Sequence, residues 1–358
     1  MIPREFNGVR VLDIGERAFD CNRENTGVTI PDGVRSIGAY AFYGSYKIES
    51  ITIPDSVEYI GGWAFHECSR LNTVTIGKGV KYIGEVAFCG CTRLTTLTLG
   101  SGVERIARRA FVACPKLQNV VIPKGIRRID EGAFSGCNLS SEIVLDSVTD
   151  LGEGAFCRCS GVANVTISGH LTSIADSLFF CCKDLESITL PRELTSIGNS
   201  AFENCTSLAE ITIPVRVTSI GNSAFQGCTS LTRIVIPRWG STVNLGESAF
   251  QGCTSLNHVV LHDNVTSISK SAFQDSTSLA DITLPDSLTE IGDSAFKNCT
   301  SLAEIRIPNH VTSIGSSAFG GCSGLGSVSL PKHLENELPD DVFEGCSPNL
   351  EIEYRRFW

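Results

Sequence analysis

The chain has 358 residues, 42% of them hydrophobic and 19% charged, with a formal net charge of −10. That composition excludes a disordered polar chain, and the negative balance argues against general nucleic-acid binding. No run of about 18 apolar residues occurs, so no membrane insertion is expected; the opening Met-Ile-Pro-Arg-Glu-Phe-Asn-Gly lacks the charged and apolar regions of a signal peptide, so none is expected in this sequence.

In chain order, residues 1–27 read as an atypical first unit, with an insert from Cys21 to Gly27 before the strand Val28-Thr29-Ile30. A repeat then takes over. A small residue followed by Phe recurs fifteen times, from Phe19 to Phe343, and eleven of the fourteen intervals are 23 residues. The exceptions are 22 before Phe156, 25 before Phe250 and 24 before Phe343. The interval before Phe250 carries the insert Pro237-Arg238-Trp239-Gly240-Ser241-Thr242. Residues 334–358 form an atypical last unit, in which Leu334 to Leu338 break the pattern, Glu351-Ile352-Glu353-Tyr354 reads as a charged strand, and Phe357 and Trp358 are expected to fold over the core. A solenoid needs such capped ends. No linker or second domain is visible, so residues 1–358 are expected to form one domain.

Other positions keep step with the Phe. An Ile or Leu stands five residues before it, as in Ile60 and Ile83, and two aliphatics stand nine and eleven after it, as in Ile211 and Ile213. The Ile-x-Ile pair has the period of a strand. The Pro behind it, as at Pro214, lacks a ladder donor and stops the strand. The Ala, Phe, Cys and Leu of the return path are spaced partly three or four apart, which predicts a short helical or 3₁₀ turn. A single unit cannot bury its apolar face, but stacked neighbours can.

Residues 206–229, Thr-Ser-Leu-Ala-Glu-Ile-Thr-Ile-Pro-Val-Arg-Val-Thr-Ser-Ile-Gly-Asn-Ser-Ala-Phe-Gln-Gly-Cys-Thr, resemble the BspA-like (Treponema-type) leucine-rich repeat. The resemblance covers almost the whole chain. It implies a leucine-rich-repeat solenoid, a right-handed curved stack of about fifteen units with a parallel β-sheet on the concave face. Short strands, turns or 3₁₀/helical segments are expected on the return path. Strand spacing predicts a sheet on the order of 70 Å along the stack. Family members are mostly bacterial or protist surface proteins that bind other proteins or matrix, so the resemblance also implies a cell-surface or secreted setting.

Twelve of the sixteen cysteines stand three residues after the repeat Phe, where Ser45 and Ser276 also occur. Stacking would place them in a row with parallel side chains, which does not suit disulfide geometry. They read as small buried core thiols, a pattern that fits a reducing or anaerobic setting. Cys89, Cys157 and Cys181 add sulfurs, but no Cys-x-x-Cys pair or His pattern supports zinc, so no metal or cofactor is expected. The six histidines fall at different repeat positions, and no nucleophile elbow, Walker A or His-Glu-x-x-His motif occurs. The chain is therefore expected not to be an enzyme.

Two surfaces are candidates for a partner. On the strand face, outward positions place Glu210, Arg233, His258, Asp281, Glu304 and Arg306 on adjacent rungs of an otherwise Thr/Ser/Asn surface. On the flank, Tyr59, Tyr82, Arg105, Arg109 and Arg128 form an aromatic and basic stripe, with Tyr40 and Trp63 beside it. Tyr, Trp and Arg are frequent interface anchors. Trp239 of the insert is a further candidate contact. Residues 1–150 hold 17 Lys+Arg and 17 Asp+Glu, whereas residues 151–358 hold 12 and 22. The expected function is protein–protein recognition; the alternatives are an adhesin binding host matrix or glycan and, least of all, a fragment of a larger enzyme. The oligomeric state defaults to monomer.

Overall fold

Each repeat closes one coil of a parallel β-solenoid, and strands of neighbouring coils pair along two lines that run as several short sheets. The structure, a computed structural model, describes residues 2–22, 24, 26–238 and 242–355. It comprises two compact units, Met1–Leu171 and Thr172–Trp358. The first line of strands is the aliphatic-x-aliphatic segment. In the first unit Gly27–Thr29, Ser50–Ile53, Thr73–Ile76 and Thr96–Thr98 pair in parallel. Equivalent residues face each other, Ile51 with Val74 and Val74 with Leu97. In the second unit Arg233–Val235, His258–Val260 and Ile282–Thr283 pair likewise, as do Glu304–Arg306, Ser327–Pro331 and Glu351–Arg355.

The second line lies on the return path, where two-residue strands end in the Ile that precedes the Phe. Asp13–Ile14, Ser36–Ile37, Tyr59–Ile60, Tyr82–Ile83, Arg105–Ile106, Arg128–Ile129 and Asp150–Leu151 form a seven-stranded parallel sheet. A solenoid of 23-residue coils thus sets equivalent repeat positions against each other, as Tyr59 against Tyr82 and Ile60 against Ile83.

The Ala-Phe-x-x-Cys segment is not the helical turn its spacing predicts. Two residues per coil adopt the left-handed region, two before and two after the Phe, as in Ser223 (φ 56°) and Gly227 (φ 71°). That alternation turns successive N–H groups in different directions. Ser223, Phe225 and Gly227 donate to carbonyls of the following coil, at Glu247, Ala249 and Gln251, each at 2.8 Å. Ala224, Gln226 and Cys228 instead donate three residues back within their own coil. The backbone is satisfied by tight turns plus inter-coil bonds, leaving no N–H for an i→i−4 ladder. The one 3₁₀ segment among the described residues is Lys332–Leu334.

The core has the same one-dimensional order. Phe19 through Phe156 in the first unit, and Phe179 through Phe343 in the second, stack ring on ring. The Phe225–Phe250 centroids are 5.4 Å apart with planes at 2°. Beside the rings runs the cysteine row, in which thiols donate to a phenylalanine carbonyl of the preceding coil, as Cys228 to Phe202 at 3.1 Å and Cys253 to Phe225 at 3.2 Å. Ser45 and Ser276 make the same bond to Phe19 and Phe250, which explains why serine substitutes for cysteine here. Outer polar side chains repeat the device: Thr218 donates to the Thr195 carbonyl, and Thr195 to that of Thr172. The coils approach so closely that a Cβ at Gly102 would lie 1.8 Å from the Lys78 carbonyl oxygen, so glycine is required there.

Two rungs depart from the pattern. Gln118 makes an isolated bridge to Thr96, Asn119 is left-handed (φ 54°), and Val121 is 78% exposed. Glu210 makes an isolated bridge to Arg233, and its rung is otherwise irregular. At the N-terminal end Glu5–Phe6 and Val9–Arg10 form an antiparallel pair around a left-handed Asn7-Gly8 turn. At the other end the charged strand Glu351–Arg355 closes its sheet, and charge on an edge strand discourages further pairing. Phe357 and Trp358 lie outside the described residues.

Burial pushes the thiols of Cys68, Cys114, Cys253 and Cys299 from an ordinary value near 9.0 up to about 12. They therefore stay protonated and able to donate. Between those two values the unfolded chain has lost protons that the folded chain keeps, so stability is full below pH 9 and falls as pH rises toward 12. Each such thiol contributes a slope of about 1.4 kcal/mol per pH unit. Melting followed by circular dichroism in reductant should show a steep loss above pH 9, and Cys253→Ser with Cys299→Ser should flatten it. A melting temperature level from pH 8 to 11 would contradict the buried-thiol row. In the same assay at neutral pH, Phe225→Ala should cost about 3–5 kcal/mol.

Candidate recognition surfaces

Because side chains alternate along the strands, the residues flanking each core aliphatic point outward and line up from coil to coil. On the second unit Glu210 faces Arg233, and Arg233 faces His258. The Val259–Ile282 register brings Asp281 to the rung beside His258. Glu304 aligns with Ser327 and then Glu351, and Arg306 with Ser329 and then Glu353. The structure thus assembles the strand-face set expected from sequence, all of it exposed. It also adds Glu351, Glu353 and Asp286, which join Asp281, Glu304 and Arg306 around an open groove of about 520 Å³. The ion pairs of this unit among the described residues are Arg216 with Glu193 and Lys332 with Glu335. Asp281, Glu304 and Glu351 therefore have no ion-pair partner among the described residues, and Glu353 is only partly offset by nearby Arg355.

A second groove on the same unit, about 450 Å³, is lined by Ile188, Leu190, Ile213, Pro214 and Val215 among others. Val215 is 54% exposed. Sequence reasoning missed it, although the signal was present. Its position, two residues past the strand, holds polar residues or glycine in the other repeats, such as Arg192, Asp263 and Asp286.

The flank has a different electrostatic character. Tyr59 stacks on Tyr82 at 5.2 Å, and the Arg105 guanidinium lies 5.6 Å from the Tyr82 ring centre. The buried Asp130 carboxylate accepts from Arg105 at 2.7 Å and from Arg128, which also reaches Asp150 at 2.7 Å. Arg109 pairs with Glu131, Arg108 with Glu85 and Lys81 with Glu104. Asp130 and Glu85 hold the guanidinium groups of Arg128 and Arg108 more firmly protonated. The stripe that reads as basic in sequence is thus largely neutralised by carboxylates from adjacent coils. Tyr40 stacks on Trp63 at 5.8 Å with Arg17 over its other face. Both aromatics sit in the left-handed region. His66 packs edge-on against Trp63, and burial holds its imidazole below the usual range. Trp239 lies outside the described residues.

Nothing in this arrangement converges on a reacting atom. Among the described residues no group of three or more His, Cys, Asp or Glu is placed to hold a metal, and no helix is long and apolar enough to cross a membrane.

A profile of the BspA type leucine rich repeat region, in six copies, matches residues 12–140, 127–244 and 239–351. A leucine-rich repeat protein of Bacteroides ovatus superimposes with a TM-score of 0.74 at 29% identity, over 98% of this chain and 94% of that one. A leucine rich cell surface protein of Faecalibacterium prausnitzii gives 0.42 at 23% identity, over 97% and 83%. A leucine-rich repeat protein of Eubacterium ventriosum gives 0.47 at 22% identity, over 84% and 83%. No curated protein matches the chain.

The flank pairing makes a prediction that separates buried from exposed charge. Asp130→Ala leaves two arginines without their shared acceptor and should cost about 1–3 kcal/mol in urea unfolding. Lys81→Ala, which breaks an exposed pair, should change stability by less than about 1 kcal/mol.

Proposed function

The chain belongs to the BspA-type leucine-rich repeat family, and from that premise we propose that it is a non-catalytic scaffold that recognises a protein partner through the strand face of residues 172–358. One observation carries the reading. The strand-face carboxylates are exposed, aligned and unpaired, whereas the charges of the flank are matched coil by coil. Like charges on neighbouring strands repel. A surface that keeps them unpaired has a cost in the free protein, and a complementary partner relieves it. The flank, with its cations already bound to carboxylates, offers no such gain to an anionic ligand. The stacked coils supply an ordered frame, so little ordering is needed when a partner docks.

The test is affinity capture with the full chain as bait, beside two variants. Combined His258→Ala, Asp281→Ala and Glu304→Ala should reduce retention of a captured protein by tenfold or more, since these positions would contribute about 1.4 kcal/mol or more together. Combined Arg105→Ala, Arg109→Ala and Arg128→Ala, checked for folding by circular dichroism, should leave it within about twofold. Retention that depends on the flank set and ignores the strand-face set would refute the proposal.

A further inference from the structure

The apolar groove at Val215 and the carboxylate groove around Glu304 use the same repeat positions on separate coils of one unit. Ile213 and Leu284 are equivalent repeat positions, as are Pro214 and Pro285, and Val215 and Asp286. The two grooves are therefore built from equivalent repeat positions, each from an aliphatic-x-aliphatic segment and its exit corner. From the rung of Ile211 to that of Ile305 there are four steps, passing Ile234, Val259 and Ile282. At the usual strand spacing this is about 19 Å, the reach of about six residues of extended chain.

The composition of each end is distinct. At one end Ile188, Leu190, Ile213 and Val215 offer an apolar slot. At the other Asp281, Asp286, Glu304, Glu351 and Glu353 surround Arg306, with Arg355 near Arg306, Glu353 and Asp286. Residues 172–358 hold 11 Lys+Arg against 21 Asp+Glu, a balance of −10. The whole unit therefore adds to the attraction for a cation, not only the groove.

We propose that the Val215 groove anchors an apolar side chain of an extended, basic polypeptide segment, whose Lys or Arg residues, about six positions away, enter the carboxylate groove. The proposal rests on the strand-face reading above and names the chemistry of its partner. Arg306 shares its strand with Glu304, with Asp281 on the preceding rung and Glu351 and Glu353 two rungs beyond. It separates the cations of the ligand and repels any that are placed directly over it. The unpaired carboxylates also repel one another in the free protein, so the same side chains that favour the ligand lower the stability of the unliganded unit.

The experiment selects a phage-displayed library of random 12-residue peptides on the immobilised full chain at 50 mM NaCl, then measures the enriched peptides in solution. Enriched sequences should carry Lys or Arg with an aliphatic or aromatic residue five to seven positions away. Combined Glu304→Gln, Glu351→Gln and Glu353→Gln should weaken their binding at least tenfold at 50 mM NaCl, with the difference shrinking toward 500 mM as salt screens the charges. That variant should also melt higher than the parent at low salt. Val215→Ser should weaken binding several-fold at both salt concentrations, and Arg306→Ala should tighten it. Peptides without basic residues whose binding is lost with His258→Ala, Asp281→Ala and Glu304→Ala would overturn the partner chemistry while keeping the strand face. Peptides indifferent to every strand-face variant, or no enrichment at all, would overturn both.

Discussion

The constraint on which the structure depends is that each residue's neighbour is its own equivalent one coil away. A side chain at any repeat position must be compatible with a copy of itself about 5 Å above and below. Phenylalanine meets this by stacking, as Phe225 does on Phe250. Cysteine meets it by donating to a carbonyl of the coil before, as Cys228 does to Phe202. Threonine does the same at the surface, as Thr218 does to Thr195, while Asn and Asp side chains accept from the following coil: Asn222 N–H donates to the side-chain oxygen of Asn199, and Asn199 N–H to that of Asp176. Charge repeated in this way needs a counter-charge from another position. On the flank Arg105 and Arg128 stand in register, and the Asp130 carboxylate accepts from both.

This explains why the fold was so legible in the amino-acid sequence. A residue forced to tolerate its own copy is confined to few types, and the confinement appears as a period. The Phe and Cys rows, the paired aliphatics and the proline stops were readable from spacing alone, and the parallel register follows from them. The return path was legible only in part. Its two-residue strands and turns are present, but a three-and-four spacing of apolar residues imitates a helix when the backbone is a chain of tight turns. The sign of φ was not visible, since Tyr40, Trp63 and Ser223 all hold the left-handed position, and only the glycines at equivalent places hinted at it. The irregular rungs at Gln118 and Glu210 match the repeat pattern in sequence, so nothing there announces them.

The candidate surfaces were legible as positions and not as electrostatics. Arg105 and Arg128, expected on one stripe, stand in register, but the stripe loses its basic character because Asp130, Glu131 and Asp150 reach it and Arg109 from neighbouring positions. The strand-face set was identified as a patch of mixed sign. The last strand changes its balance by bringing Glu351 and Glu353 into register with Glu304 and Arg306 through Ser327 and Ser329. Val215 escaped notice because a single exposed valine is unremarkable until it is compared with the polar residues at its own repeat position. In a chain of this kind, departures from the period carry the individuality, and agreement with it carries the fold.

The most direct test of the self-stacking account is to remove one coil. Deleting residues 206–228 takes out one 23-residue period and joins Cys205 to Thr229, so each class of inter-coil contact is restored between new neighbours. The account predicts a folded protein with an unchanged circular dichroism spectrum per residue and a melting temperature within a few degrees of the parent. Deleting residues 206–216 removes half a period and should give an unfolded or aggregated chain. A full-coil deletion that fails to fold, or a half-coil deletion that folds as well as the parent, would contradict the claim that the structure is held by coil-to-coil repetition.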